Sequence, residues 1–137
     1  PAPPFVNPDL GKQFVWSRNY LAKGWVVVDF FATNCEGCKK ELPILEQLLS
    51  DFSETGLTIF VLATDAGGGS VVTPYFRENP TTLTILVDRY QVAVKKYQVT
   101  EIPSLFLVDP LGTIVFKEAG FQQDLYERIS AVLNQGQ

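Results

Sequence analysis

The 137-residue chain contains no histidine and no methionine, and its only cysteines are Cys35 and Cys38. Without His there is no imidazole to ligate a metal or to serve as a base that titrates near neutral pH. A structural zinc takes four Cys, His or carboxylate ligands, so two cysteines with no His supply half a site at most. No apolar run approaches the roughly 20 residues that cross a bilayer. The net charge of −4 gives no basic surface for nucleic acid. Methionine is absent even from position 1, which leads us to expect a longer translated product, shortened by loss of a signal peptide or membrane anchor or by trimming.

What is present is globular. A hydrophobic content of 46%, with 12% aromatics, supports one sizeable core, and the length is too short for two, so one domain over residues 1–137 is expected.

Cys35-Glu36-Gly37-Cys38 joins the apolar run Trp25–Phe31 to a helical pattern beginning Lys39-Lys40-Glu41. A buried strand feeding a helix sets both cysteines at the helix's first turn, where free backbone N–H groups and the positive dipole end favour a thiolate. A disulfide across so short a loop removes little unfolded-state entropy, so it is a poor staple. Reversible dithiol–disulfide chemistry is the better reading, with the first sulfur exposed and the second tucked against the helix. Asp29 interrupts the apolar run six residues before Cys35. A strand followed by a tight turn folds that carboxylate beneath the helix start, as a buried proton acceptor with a raised pKa under the second cysteine.

Along the rest of the chain, the prolines of Pro1–Pro8 suggest an extended lead-in without regular structure, Phe14–Trp16 a short edge strand, and Ser17–Ala22 a helical turn. Leu42, Leu45, Leu48, Leu49 and Phe52 recur at helical spacing across Pro43, where a kink is expected, up to Gly56. Leu57–Ala63 reads as a second strand, parallel to the first. Gly67-Gly68-Gly69 lacks the Lys-Ser/Thr of a phosphate loop and reads as a mobile surface loop. A helix over Val71–Glu78 with Pro74 in its first turn, a strand at Leu83–Val87 and a helix at Tyr90–Tyr97 follow. Ser104–Val108 and Thr113–Phe116 flank the turn Asp109–Gly112 as an antiparallel pair, and Gln122–Leu133 closes the chain as an amphipathic helix.

This order of elements resembles the thioredoxin fold. Asp29-Phe30-Phe31-Ala32-x-x-Cys35-x-x-Cys38 and Pro43 are similar to that family's active-site segment and helix proline, and Ile102-Pro103 to its cis-proline. Ala2-Pro3-Pro4-Phe5, Leu10-Gly11-Lys12, Glu41-Leu42-Pro43, Lys96–Val99 and Phe106–Ile114 resemble the TlpA/ResA branch of thiol:disulfide oxidoreductases, which share a superfamily with the peroxiredoxins. The resemblance implies an α/β fold with a central mixed sheet flanked by helices, an N-terminal extension and a strand–helix insertion between Ala63 and Tyr97. It implies a redox-active Cys35–Cys38 disulfide with no metal or other cofactor, and substrate contacts at Asn34, Glu36, Ile102 and Pro103. It further implies a monomer with protein thiol or disulfide substrates and an upstream thiol electron donor, facing the bacterial periplasm, in the setting of cytochrome c maturation.

Asn34 stands where the family usually has Trp. ResA-type members place a Glu in the central loop, where this chain has Gly67-Gly68-Gly69, so Asp29 is expected to carry the acid–base role alone. Peroxiredoxins carry a Thr ahead of their cysteine; Thr33 lies two residues before Cys35, without the accompanying Pro. Copper chaperones on the same fold use His or Met beside the cysteines, and neither occurs here. The expectation is therefore a thiol:disulfide oxidoreductase in which Cys35 attacks and Cys38 resolves. Negative charge from Glu36 and Asp29 is expected to destabilise the thiolate, placing the potential near the reducing end of the scale, about −270 mV.

Overall fold

The computed structural model describes residues 1–135. In chain order the elements are β1 (Val6–Pro8), β2 (Phe14–Trp16), β3 (Val26–Phe31), α1 (Glu36–Asp51), β4 (Thr58–Ala63), α2 (Gly69–Glu78), β5 (Thr84–Val87), α3 (Val92–Lys96), β6 (Ser104–Val108), β7 (Ile114–Ala119) and α4 (Leu125–Gln135). Strands β5-β4-β3-β6-β7 form the sheet in that order; β3 pairs parallel with β4 and antiparallel with β6.

β3 lies at the centre, and every one of its residues is buried. Because successive side chains alternate across a sheet, its even and odd positions feed two different cores. Val27 and Phe31 pack with Leu42, Leu45 and Leu48 of α1, Val72 and Phe76 of α2, and Leu125, Ile129 and Leu133 of α4. Val26, Val28 and Phe30 pack on the other face with Phe60, Leu62, Leu86, Phe106, Ala93 and Tyr97. Asp29 shares the odd parity of Val27 and Phe31, so its side chain points to the face that α1 covers.

The second face depends on the N-terminal segment, which corrects the expectation of an irregular lead-in. Phe5 is 3% exposed and meets Phe60 and Tyr97 edge-on, with ring centres 5.9 and 6.2 Å apart. Burying such a ring contributes about 1.5–3 kcal/mol, which proline content alone does not signal. Tyr97 donates its hydroxyl to the Pro3 carbonyl at 2.7 Å, and the Ala2 amide donates to Gly112 at 2.8 Å. Val6–Pro8 then pairs with Phe14–Trp16 as a two-stranded ribbon.

Other boundaries differ from the sequence reading: β7 runs on to Ala119, past the expected Phe116, and α4 starts at Leu125, not Gln122. α2 starts at Gly69, so Pro74 is in its interior; Pro74 and Ser70, whose carbonyl loses its helical donor there, are both exposed. α3 starts at Val92, not Tyr90, because Asp88 accepts the amides of Ala93 and Val94 at 3.2 and 3.0 Å, while Gln91 has a positive φ of 59°. α1 begins at Glu36 and runs unbroken through Pro43.

Candidate active site

The ends of β3 and β4 hold the loop that carries the cysteines. The Thr64 amide donates to the Phe31 carbonyl at 2.8 Å. One residue on, the Asp65 carboxylate accepts the Thr33 amide at 3.1 Å and the Thr33 hydroxyl at 2.6 Å. The chain then turns into α1 with Cys35 as its N-cap, and the Cys35 Sγ accepts the Cys38 amide at 3.2 Å. A sulfur in that position meets an otherwise unpaired helix N–H, an arrangement that favours negative charge on it.

Cys35 and Cys38 are joined as a disulfide, with Cα atoms 5.3 Å apart. Their surroundings differ sharply: Cys38 is wholly buried among the residues of α1 and β3, whereas Cys35 is partly exposed. Asn34 and Glu36 flank it in water, and Lys39 Nζ sits 3.6 Å from the Glu36 carboxylate.

Gly37 permits a close approach from below. A Cβ there would fall 3.3 Å from Pro103 Cδ and 3.3 Å from Phe121 Cβ, so the strand-entry proline and the loop after β7 both abut the Cys-x-x-Cys turn. The Ile102–Pro103 peptide bond is cis, and the Gly120 amide donates to the Pro103 carbonyl at 2.8 Å. Ile102 is half-buried and packs against both cores. Phe121 was not legible as a site residue: it follows an edge strand far along the chain, and no periodicity marks it.

Asp29 is wholly buried, and so is Glu41, at 1% exposure. Glu41 lies three residues after Cys38, one turn along the same face of α1, which sets it against the face of β3 that carries Asp29. Neither oxygen of Asp29, nor Oε1 of Glu41, meets a hydrogen-bond donor in the protein. Two carboxylates cannot bond to each other, but a carboxyl and a carboxylate can share one proton. Burial pushes the Asp29 carboxyl well above the usual carboxylate range, and Glu41 pushes it further, first as a like charge and then as acceptor of the proton Asp29 keeps. Burial pushes Glu41 up too; the proton from Asp29 holds it down in part, and Glu118 adds to the rise. Glu118 lies two strands away in the row Glu118–Leu105–Asp29 and is paired with Arg128 at 2.9 Å. Asp29 is thus not, as the sequence reading had it, the only buried carboxyl at the base of the helix. The helix supplies the second carboxylate, and the central loop does not.

A strand–Cys-x-x-Cys–helix unit over a mixed sheet, with a cis-proline against the glycine between the cysteines, defines a thiol-disulfide exchange protein of thioredoxin fold. The AhpC/TSA family matches residues 1–117, and the chain belongs to it. Its relatives include the thiol-disulfide oxidoreductase ResA of Bacillus anthracis, 31% identical over 124 residues that span 88% of this chain and 69% of that protein. ResA of Bacillus thuringiensis is 28% identical over 121 residues with the same coverage. The thioredoxin domain of a thiol-disulfide oxidoreductase from Bacteroides vulgatus superposes with a TM-score of 0.84 at 29% identity, over 97% of this chain and 95% of that one. A candidate thiol:disulfide interchange protein DsbE from Chlorobium tepidum shares the fold at a TM-score of 0.90 and 21% identity, over 98% and 94% of the two chains. The protein is a ResA-type thiol:disulfide oxidoreductase.

Among the described residues, no cluster of three or more His, Cys, Asp or Glu is arranged to hold a metal, and no helix is long and apolar enough to cross a membrane.

Proposed function

We propose that the protein reduces disulfides in other proteins, with Cys35 as attacking and Cys38 as resolving thiol. The observation that carries this reading is the asymmetry of the pair: a partly exposed Cys35 at the helix start and a wholly buried Cys38 on the turn before Glu41, above an unpartnered carboxylate pair. The Cys35 thiolate attacks one sulfur of the substrate disulfide and expels the other as a thiolate. The Asp29–Glu41 pair takes the proton from Cys38, whose thiolate then attacks Cys35 Sγ and expels the second substrate sulfur as a thiolate; the pair gives that proton up again and water supplies the other, completing the substrate dithiol. Two electrons have left the protein as its own disulfide forms, and an upstream thiol donor restores it.

The direction of flow rests on charge. A carboxylate in a dry interior acts on the neighbouring sulfurs with little screening and disfavours the thiolate form, which makes the dithiol a better reductant. Glu36 contributes less than the sequence suggested, because its side chain is 82% exposed and Lys39 lies beside it.

Substrate chain is proposed to lie over Asn34, Glu36, Ile102 and Pro103, with Phe121 adding the apolar surface that Asn34 lacks. The packing of Pro103 and Phe121 against Gly37 supports that placement. We further propose that residues 1–137 act as one monomeric domain facing an extracytoplasmic space, in cytochrome c maturation or a related disulfide-reducing step, as the ResA and DsbE likeness suggests.

Peroxidase chemistry is the rival within the same family. The Thr33 hydroxyl speaks against it, since Asp65 holds it at 2.6 Å and so engages it away from the sulfur. The deciding experiment compares the reduced protein's rates with insulin disulfide and with hydrogen peroxide, together with trapping by Cys38→Ser. We expect fast insulin reduction, slow peroxide turnover and a mixed disulfide through Cys35. Faster reaction with peroxide, or trapping by Cys35→Ser instead, would overturn the assignment.

A further inference from the structure

The exchange reaction uses neither the glycine run nor the N-terminal ribbon, yet together with β5 and its following loop they frame a cleft of ≈ 840 Å³. Large apolar side chains otherwise scattered on a surface gather here: Val6 is 43% exposed, Phe14 66%, Tyr90 75% and Val92 55%. Such a cluster marks a contact surface more often than a monomer's free face.

Three cations line the same cleft: Lys12, Arg77 and Arg89. The ion pairs among the described residues involve Lys39 and Arg128 only, so none of these three has an acid within ion-pair distance. Both acids of the cleft are already engaged by donors. Asp9 accepts the Gln13 amide at 2.9 Å, and Asp88 accepts the Asn7 side chain and two amides of α3.

Arg89 is also held in position. Gly68 has a φ of +61°, and a Cβ on it would fall 2.8 Å from Arg89 Cδ, so the arginine stem crosses the space this glycine leaves. Its Nε donates to the Ala66 carbonyl at 3.3 Å, and its guanidinium carbon lies 5.3 Å from the centre of the Tyr90 ring. Arg89 lines the cleft, and its terminal nitrogens have no protein partner among the described residues. Ala66 and Gly68 belong to the loop whose Asp65 holds Thr33, two residues from Cys35. One loop therefore borders both the cysteines and this cleft.

We propose that the cleft docks an extended acidic peptide segment bearing one aromatic or long aliphatic side chain, carried by the protein with which Cys35 exchanges. Only the identity of that carrier rests on the function proposed above. Arg forks pair with carboxylates in two-point geometry, and Tyr and Arg side chains are the usual anchors of a protein contact. A fatty-acid anion would need an enclosed apolar channel. Here the apolar side chains stand at an open rim, which suits a peptide laid across it.

The test is an octapeptide array that permutes two to four Asp or Glu positions around one Phe, Trp or Leu. Matched arrays carry Lys in place of the acids or Ser in place of the anchor. Hits are followed by fluorescence polarisation and by amide-shift mapping of the full chain. We expect binding to the acidic anchored peptides, shifts concentrated in residues 6–14, 69–77 and 87–92, and at least ten-fold weaker binding for Arg77→Glu, Arg89→Glu and Tyr90→Ser. Insulin reduction should be unchanged in those variants. Absence of hits, equal binding to the Lys array, indifference to the Arg variants, or dodecanoate shifting these amides where no peptide does would each overturn the proposal. Loss of insulin reduction by the unmodified protein, with peptide binding intact, would sink the redox reading and leave the docking site standing.

Discussion

Asp29, inside β3, and Asp88, just past the end of β5, are both buried aspartates, exposed by 0% and 2%, and they are treated in opposite ways. Asp88 receives three donors: the Asn7 side chain at 3.3 Å and the amides of Ala93 and Val94 at 3.2 and 3.0 Å. It starts α3 and ties the N-terminal ribbon to the sheet. Asp29 receives no donor and faces a second buried carboxyl, Glu41. A fold that can solvate one carboxylate with its own amides leaves another bare, and the bare one lies against the helix of the reactive cysteines. Burial alone does not distinguish these two acids; the presence or absence of donors does.

The comparison can be broken most forcefully at the satisfied end. Asp88→Ala should cost about 3 kcal/mol, because it strands the Ala93 and Val94 amides at the start of α3. Urea denaturation should report that loss, while insulin reduction by the molecules that remain folded stays near the parent rate. A stable Asp88→Ala protein would erase the contrast.

Asp29→Asn should move the other way. Stability at pH 8 is expected to rise, on the order of 1–3 kcal/mol, since a buried acid no longer has to stay protonated or ionise in a dry site. Insulin reduction should nevertheless slow by about 10²-fold, the usual contribution of a placed base. Unchanged rates across neutral pH would return Asp29 to a packing role.

The pH dependence of stability sharpens the same point. Asp29 and Glu41 both have folded-state pKa values above their ordinary 3.8 and 4.5. Above those values the unfolded chain ionises while the fold keeps its proton, so the unfolded state binds fewer protons and stability falls as pH rises. The stabilisation is complete below about pH 4 and is lost by the time the folded pair ionises. Thermal melts from pH 4 to 9 should show this decline, and the double variant Asp29→Asn, Glu41→Gln should flatten it. A parent protein whose stability rises steadily over that range would contradict a protonated pair.

The smallest effect is expected at the exposed carboxylate. Glu36→His should raise the reduction potential, but by less than about 30 mV, because the Glu36 side chain is 82% exposed and paired with Lys39. A larger shift, read from equilibration with glutathione, would show that surface charge governs the sulfurs more than the buried pair does.

The sequence by itself determined the chemistry and most of the topology. The all-apolar β3 with one Asp in it, the Cys-x-x-Cys step into α1, the parallel return of β4 and the β6–β7 hairpin all follow from local periodicity and turn residues. These signals survive because each reflects contacts within a few positions of the residue concerned. Glu41 illustrates the limit. It sits in a helix rich in charged residues, and only the packing of α1 onto β3 makes it the partner of Asp29 and not a solvated side chain. Phe5, Phe121 and Gly68 have the same character, since each matters through a distant group: Phe60, 55 positions from Phe5; Gly37, 84 from Phe121; and Arg89, 21 from Gly68. Whether a carboxylate is bare or satisfied, and whether a proline-rich arm covers a core, are decided by which distant groups arrive beside it, and only the tertiary structure brings them there.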